Sequence, residues 1–196
     1  MTKPIVSFND VLTKFRAEAF SERDKGFRFE KLMKKYLQIE PQYKNILKTV
    51  WLWNEFPFRN DFSGKDTGID LVAQTVEGDY WAIQCKCFRE DAYIDKSGVD
   101  SFLSTSSKSF TGEDLQTKQF AQRLWISTTN HWNSEAEETI KNQNPPLHRI
   151  SLTDLQNTSD YINWDELVNG METSALKDRK YCLFFAAFGN NNHSFT

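Results

Sequence analysis

The sequence predicts an α/β fold in which a central mixed β-sheet, an antiparallel meander plus later strands, is flanked by helices. Two observations carry this. Short runs rich in Val, Ile, Trp and Tyr recur between segments with helical spacing of apolar residues, and the order reads strand, strand, strand, helix, strand, helix, strand. A third is composition: 196 residues suffice for one domain with a sizeable core, and a 14% aromatic share predicts that large rings fill it.

Each element follows in chain order. Residues 9–24 place Val11, Leu12, Phe15 and Ala19 at helical spacing, with Asn9 as the expected N-cap and Gly26 just past the end. In "FRFEKLMKKYLQIEPQ" the apolar stripe of Phe29, Leu32, Met33, Tyr36 and Leu37 predicts a second helix, which Pro41 closes. Glu30 falls at the edge of that stripe, where an acid can reach the end of a packed sheet. "LKTVWLW", "IDLVAQTV" and "YWAIQCKCF" read as three meander strands, the last two joined by a turn at Glu77–Asp79. "VDSFLSTSSKSF" predicts a helix and "QRLWISTT" a fourth strand. "SEAEETIKNQ" opens with Ser134 and Glu137 at capping-box spacing and stops before Pro145, and "HRISL" is a short fifth strand. This divides the chain into a unit of residues 1–165, with N-terminal helices over 9–40 and a core over 47–152, and a tail or junction of residues 166–196.

Charge and cysteine usage narrow the setting. With 24 basic and 27 acidic residues the net charge is -3, so any nucleic-acid contact must come from a local patch. The N-terminus lacks the layout of a secretion signal and no stretch is long and apolar enough to span a bilayer, so a cytoplasmic location with no membrane partner is expected. The three cysteines, Cys85, Cys87 and Cys182, are odd in number, which argues against a disulfide framework and for reduced thiols. Zinc is disfavoured too, because no second cysteine pair and no nearby histidine complete four ligands. His131, His148 and His193 are scattered, and surface or loop roles suit them.

One strand poses the chemical question. Alternation puts Cys85 and Cys87 on one face, toward the core, and Gln84 and Lys86 together on the other. A three-residue loop at Glu77–Asp79 pairs residues 76 and 80 and sets Asp70 opposite Lys86, so Asp70, Gln84 and Lys86 converge; a two-residue loop would instead set Asp70 opposite Cys85. An acid, an amide oxygen and an ammonium at a sheet end suit phosphodiester hydrolysis. Asp70 would be the main magnesium ligand, with manganese as a possible substitute, and Gln84 would add a neutral carbonyl. Lys86 would orient or help deprotonate the attacking water and stabilise the transition state, while Glu30 would bind metal through water or steady a ligand. Asp66 in "GKDTG" either joins them or shapes the turn. Ser127, Thr128 and Thr129 stand at a strand end, where they could touch phosphate.

"GIDLVA", then "IQCK" after one hairpin, with an upstream "GFRFE" helix, resembles the Mrr-like branch of the PD-(D/E)xK nucleases, over roughly residues 20–155. That branch carries glutamine where most relatives have a second acid. The resemblance implies a restriction-endonuclease-like fold, double-stranded DNA as substrate, Asp70, Gln84 and Lys86 as the catalytic set, and Glu30 as the helix-borne acid. More narrowly, "FSERDKGFRFEKLMKKYLQ" with "GKDTGIDLVA" is similar to the N-terminal nuclease module of type ISP restriction-modification enzymes. This implies helicase, methyltransferase and target-recognition domains in a longer parent polypeptide. No G-x-x-x-x-G-K-[ST] loop occurs in the chain, so ATP use is not expected of it. A reading from a different class stands beside the endonuclease: a catalytically inactive nuclease-fold module that binds DNA or a protein, which would have no need of the polar trio.

Overall fold

The structure is a computed structural model, and it describes residues 6–62 and 68–170. Two helices, α1 (Phe8–Glu18) and α2 (Glu22–Ile39), and a single turn, α3 (Pro41–Lys44), precede β1 (Leu47–Leu52), β2 (Leu71–Thr75) and β3 (Tyr80–Lys86). Then come β4 (Tyr93–Ile94), α4 (Lys96–Ser106), β5 (Phe110–Thr111), β6 (Thr117–Lys118), β7 (Phe120–Ser127) and β8 (His131–Trp132). The last named elements are α5 (Ser134–Thr139), β9 (Leu147–Ile150) and α6 (Leu152–Asn157).

Among the described residues the main sheet is five-stranded, in the order β1-β2-β3-β7-β9. The first three strands are antiparallel, while β7 runs parallel to β3 and β9 parallel to β7. This is the expected mixed sheet, and the parallel half requires covering on both faces. One face buries Leu71, Ile83, Cys85 and Ile126 against α1, α2 and α6. The other buries Val72, Ala82 and Trp125 against α4 and a group of rings that includes Phe56, Phe62, Phe110 and Phe120. The predicted aromatic rings fill both layers: Phe8 and Trp164 pack with centroids 4.7 Å apart in the first, and Phe56 and Phe110 meet edge-on at 5.4 Å in the second.

Several boundaries differ from expectation because capping overrides the apolar period. The stretch 9–24 is not one helix. Ser7, not Asn9, caps α1: its hydroxyl accepts from Asp10 N at 3.2 Å, and Asp10 Oδ2 accepts from Ser7 N at 2.8 Å. Ser21 then opens α2 by accepting from Asp24 N at 3.1 Å, which places Gly26 inside that helix. At α5 the cap is Asn133 rather than Ser134, accepting from Ala136 N at 2.7 Å, and the helix ends at Thr139. Asp95 caps α4, which starts at Lys96, three residues before the expected start at Val99. Beyond α6 the helical stretch 164–170 crosses the boundary expected at 165 and packs Trp164, Leu167 and Val168 into the first core layer. Residues 171–196, with Cys182 and His193, lie outside the described residues, as does Asp66.

The β2–β3 hairpin departs from expectation in the way that matters most for the site. Its loop is three residues long, as expected, but comprises Val76, Glu77 and Gly78. Gly78 N donates to Thr75 O at 3.1 Å, Thr75 N to Asp79 O at 2.8 Å, and Gly78 sits at φ +96°. A tight turn followed by a residue at positive φ needs glycine in the last loop position. The whole register therefore moves by two: Leu71 pairs with Ile83 and Gln74 with Tyr80, so Asp70 comes opposite Gln84 rather than Lys86. A shift of two preserves the faces.

A Cβ on Gly78 would meet nothing within 4 Å, so a substitution there tests the backbone alone. Gly78→Ala is expected to destabilise the fold by about 1–2 kcal/mol, the cost of placing an L-residue at positive φ. The measurement is the urea midpoint at constant slope; an unmoved midpoint would show that the turn does not depend on glycine.

Candidate active site

Asp70 stands at the entry to β2, gripped by strands on both sides. Its N–H donates to Ile83 O at 2.9 Å and its carbonyl accepts from Trp53 N at 2.7 Å. Its side chain faces β3, where Oδ2 accepts from the Gln84 amide nitrogen and from Cys85 N, the latter at 2.7 Å. Gln84 is 1% exposed. Its Oε1 is buried with no hydrogen-bond partner among the described residues, an unusual state for a carbonyl in a packed interior.

Lys86 follows on the same face of β3, half-buried, and its carbonyl accepts from Thr128 N at 3.0 Å across the parallel pair with β7. Its charge is felt by two acids. Asp95, at the cap of α4, is held below the ordinary carboxylate range by Gly98 N–H, then by Ser97, with Lys86 adding to the effect. Glu30 arrives from α2, which covers the opposite face of the sheet, so the acids meet at the sheet end from two layers. Burial pushes the Glu30 carboxyl up to about 7, the Asp70 charge pushes the same way, and Lys86 opposes both. The structure thus brings together Asp70, Gln84, Lys86 and Glu30.

Asp95 was not anticipated. Its signal was the cap spacing of "DKSG" ahead of α4, obscured by the serines that weakened the helix pattern. The remaining candidates fall elsewhere. Cys85 and Cys87 are buried in the first core layer, and burial raises both thiols, Cys85 strongly, which makes them inert packing groups. Ser127, Thr128 and Thr129 do not present hydroxyls to a ligand. Thr128 Oγ1 donates to Phe88 O at 2.7 Å, Thr129 Oγ1 to Ala92 O at 2.7 Å and Ser127 Oγ to Thr129 O at 2.9 Å. Thr128 and Thr129 fasten the 88–92 loop, and Ser127 braces the turn at Thr129. His131 lies in β8 against Tyr93, with ring centroids 5.1 Å apart, and His148 lies in β9.

The donor set fits a hard divalent cation. Asp70 is in contact with Gln84, Glu30 lies within the electrostatic reach of Asp70, and Gln84 Oε1 is buried without a partner among the described residues; all three offer oxygen donors of the kind magnesium takes. Among the described residues no three His, Cys, Asp or Glu side chains converge, so a cation here would rely on the glutamine as well as the acids.

The raised Glu30 carboxyl makes stability depend on pH, with a definite sign. Below about 4.5 the group is protonated in both folded and unfolded chains, and the folded state suffers no penalty. As pH rises toward 7 the unfolded chain ionises freely while the folded one resists, so stability falls and the loss is complete above 7. Glu30→Gln cannot ionise. In EDTA it is expected to melt about 2 °C above the parent near pH 8, the partial exposure of the group screening the effect, with the gap closing near pH 4. Equal melting temperatures at both pH values would show that Glu30 is not desolvated.

Comparison with known proteins then gives this geometry a family. The family model Mrr_cat_2, described as a restriction endonuclease, matches residues 38–174. The type ISP restriction-modification enzyme LlaBIII, an ATP-dependent protein solved bound to DNA, is similar over 77% of this chain, with 31% identity and a TM-score of 0.57. This chain covers 8% of that enzyme. The modification-dependent restriction endonuclease AspBHI shares the fold at 12% identity and a TM-score of 0.51, over 89% of this chain and 41% of its own. A search of curated proteins finds no match. With the mixed sheet, the helical layers and most of its length accounted for by these matches, the chain belongs to the Mrr-like restriction endonuclease family and has a restriction-endonuclease fold.

Proposed function

We propose that this chain is a metal-dependent DNA endonuclease, the nuclease part of a type ISP-like restriction enzyme, and that it cuts one strand per active site. The observation that carries the reading is the Asp70–Gln84 pair in register at the sheet end, with Lys86 two residues on and a buried Gln84 Oε1 that has no partner among the described residues. A packed strand gains nothing structural from a buried, half-satisfied amide. The similarity to an enzyme solved on DNA supports DNA as the substrate, and the 8% coverage of that enzyme is consistent with helicase, methyltransferase and target-recognition parts in a longer polypeptide.

Asp70, Gln84 and Glu30 would hold magnesium, with manganese as a substitute, and the bound ion would supply Lewis acidity toward the phosphate and acidify a water. Asp70 is oriented for this by neutral donors, the Gln84 amide and the Cys85 N–H, which fix its carboxylate without neutralising it. Lys86 positions the attacking water and meets the negative charge that builds on the phosphoryl oxygens as one P–O bond forms and the other breaks. Asp95 and Glu30 both lie within the electrostatic field of Lys86.

Lys86→Ala is expected to lower plasmid cleavage at least about 100-fold with an unchanged circular dichroism spectrum. For Asp70 the informative variant is Asp70→Asn, which keeps an acceptor for Cys85 N–H; Asp70→Ala would also strip that buried donor of its partner and cost about 1–3 kcal/mol of stability. Either Lys86→Ala or Asp70→Asn cutting as well as the parent would sink the assignment. Gln84→Glu should retain measurable activity in magnesium, whereas complete loss would mean that the amide itself is required.

With one constellation per chain, open-circular plasmid should precede linear product. Cleavage should decline with salt at a log-log slope of about -0.9 for each neutralised phosphate. Immediate double-strand cleavage at a single sequence by the chain alone would contradict a one-strand enzyme that relies on other modules for its target.

A further inference from the structure

Next to the catalytic end of the sheet runs a groove of about 560 Å³ lined by Ser21, Arg23, Asp24, Phe27, Glu30 and Asn54. One wall is α2 and the other is the turn Trp53–Glu55 that follows β1. Two contacts tie it to the site. Trp53 N donates to the carbonyl of Asp70 at 2.7 Å, which fixes Asn54 beside the catalytic acid, and Glu30 belongs to groove and site alike. The turn is held to α2 by Glu55, whose Oε2 accepts from Lys34 Nζ at 2.5 Å and from Leu52 N at 2.8 Å.

The chemistry of the walls is specific. Arg23, Phe27 and Lys31 recur every four residues and so share one face of α2. Phe27 is 38% exposed and lines the groove, and Lys31 Nζ stands 4.3 Å from its ring centroid, a cation–π contact that an incoming base would share or displace. Asp24 is already engaged, its Oδ2 accepting from Arg28 Nε at 3.0 Å and from Phe20 N at 3.2 Å. The groove thus offers an aromatic ring, one exposed guanidinium and one exposed amide, and the two acids in its lining, Asp24 and Glu30, leave it no net positive charge. That suits a base and its single phosphate better than it suits a run of phosphates along a duplex. Its volume is within the range of sites that hold one small molecule.

We propose that this groove seats an unstacked nucleotide adjoining the scissile phosphate, with Phe27 as the stacking platform and Arg23 as the phosphate contact. The proposal rests on the endonuclease reading above. In paired duplex DNA both faces of each base are covered by neighbours, so only a base out of the stack, at a gap, an end or an opened strand, can lie on Phe27. Stacking is tolerant of base identity. Such a site would therefore favour opened DNA without reading a sequence.

The test is anisotropy of a fluorescein-labelled oligonucleotide in EDTA, where scission is blocked, using single-stranded, gapped and fully paired forms. Phe27→Ala is expected to weaken single-stranded and gapped binding about ten-fold and to leave paired duplex within about two-fold. Phe27→Trp should restore the loss. A 2-aminopurine placed in the gap should change emission on binding the parent and not on binding Phe27→Ala. Equal loss on all three forms, no loss on any, or no binding of single strands by the parent would each overturn the proposal. Plasmid cleavage in magnesium reads the endonuclease assignment separately, so failure of one is distinguishable from failure of the other.

Discussion

The register of β2 against β3 is the constraint on which the site depends. Gly78 takes a backbone conformation that closes the hairpin after Val76 and Glu77, and that closure sets Asp70 opposite Gln84. The consequence is electrostatic. Had Asp70 faced Lys86 directly, acid and ammonium would have formed an ion pair across the two strands, at the sheet end where the proposed metal and phosphate would bind. In the observed offset the carboxylate accepts from Gln84 Nε2 and Cys85 N, while Lys86 lies one pleat further along, among the fields of Glu30 and Asp95. A slip of one residue would have been worse, turning Gln84 and Lys86 into the layer that buries Cys85 and Ile83.

The fold supplies the rest by bringing two layers to one end of one sheet. The parallel pairing of β3 with β7 demands helices on both faces, α2 on one and α4 on the other, and each contributes an acid near Lys86: Glu30 from α2 and Asp95 from the cap of α4. The family match begins at residue 38, past Glu30, so that helix-borne acid belongs to a layer outside the matched stretch. Its placement still follows from packing. Phe29, Leu32 and Met33 are fully buried against the sheet and leave Glu30, at the margin of the stripe, over the sheet end.

The fold class and the face assignments were legible in the sequence because they rest on periodicity. Alternation in "YWAIQCKCF" separates Cys85 and Cys87 from Gln84 and Lys86, and the burial of both cysteines follows it. Details that rest on a single hydrogen bond were not legible in the same way. Asn9 and Ser7 are both good caps, and only the capping box with Asp10 decides for Ser7. Ser21 splits what the apolar spacing joins, at the cost of leaving Phe20 91% exposed. The register error has the same character: "VEGD" admits a three-residue loop in two positions, and the need for glycine at the last one distinguishes them. Asp95 escaped because it acts through charge rather than through pattern.

The glutamine itself has a physical rationale. Position 84 is 1% exposed and in contact with the Asp70 carboxylate. A second acid there would place two negative charges within hydrogen-bond distance in a poorly solvated strand, and without a cation one of them would have to take up a proton. Glu30 already shows that tendency in milder form, with its carboxyl raised to about 7. An amide avoids the repulsion: its nitrogen donates to Asp70 and steadies it, while its oxygen keeps a donor atom for metal. The cost is one buried carbonyl left unsatisfied in the protein alone, a smaller penalty than a buried unpaired charge. Glutamine at this position thus relieves the repulsion that a second acid would bring to the sheet end and would still offer an oxygen to the proposed cation.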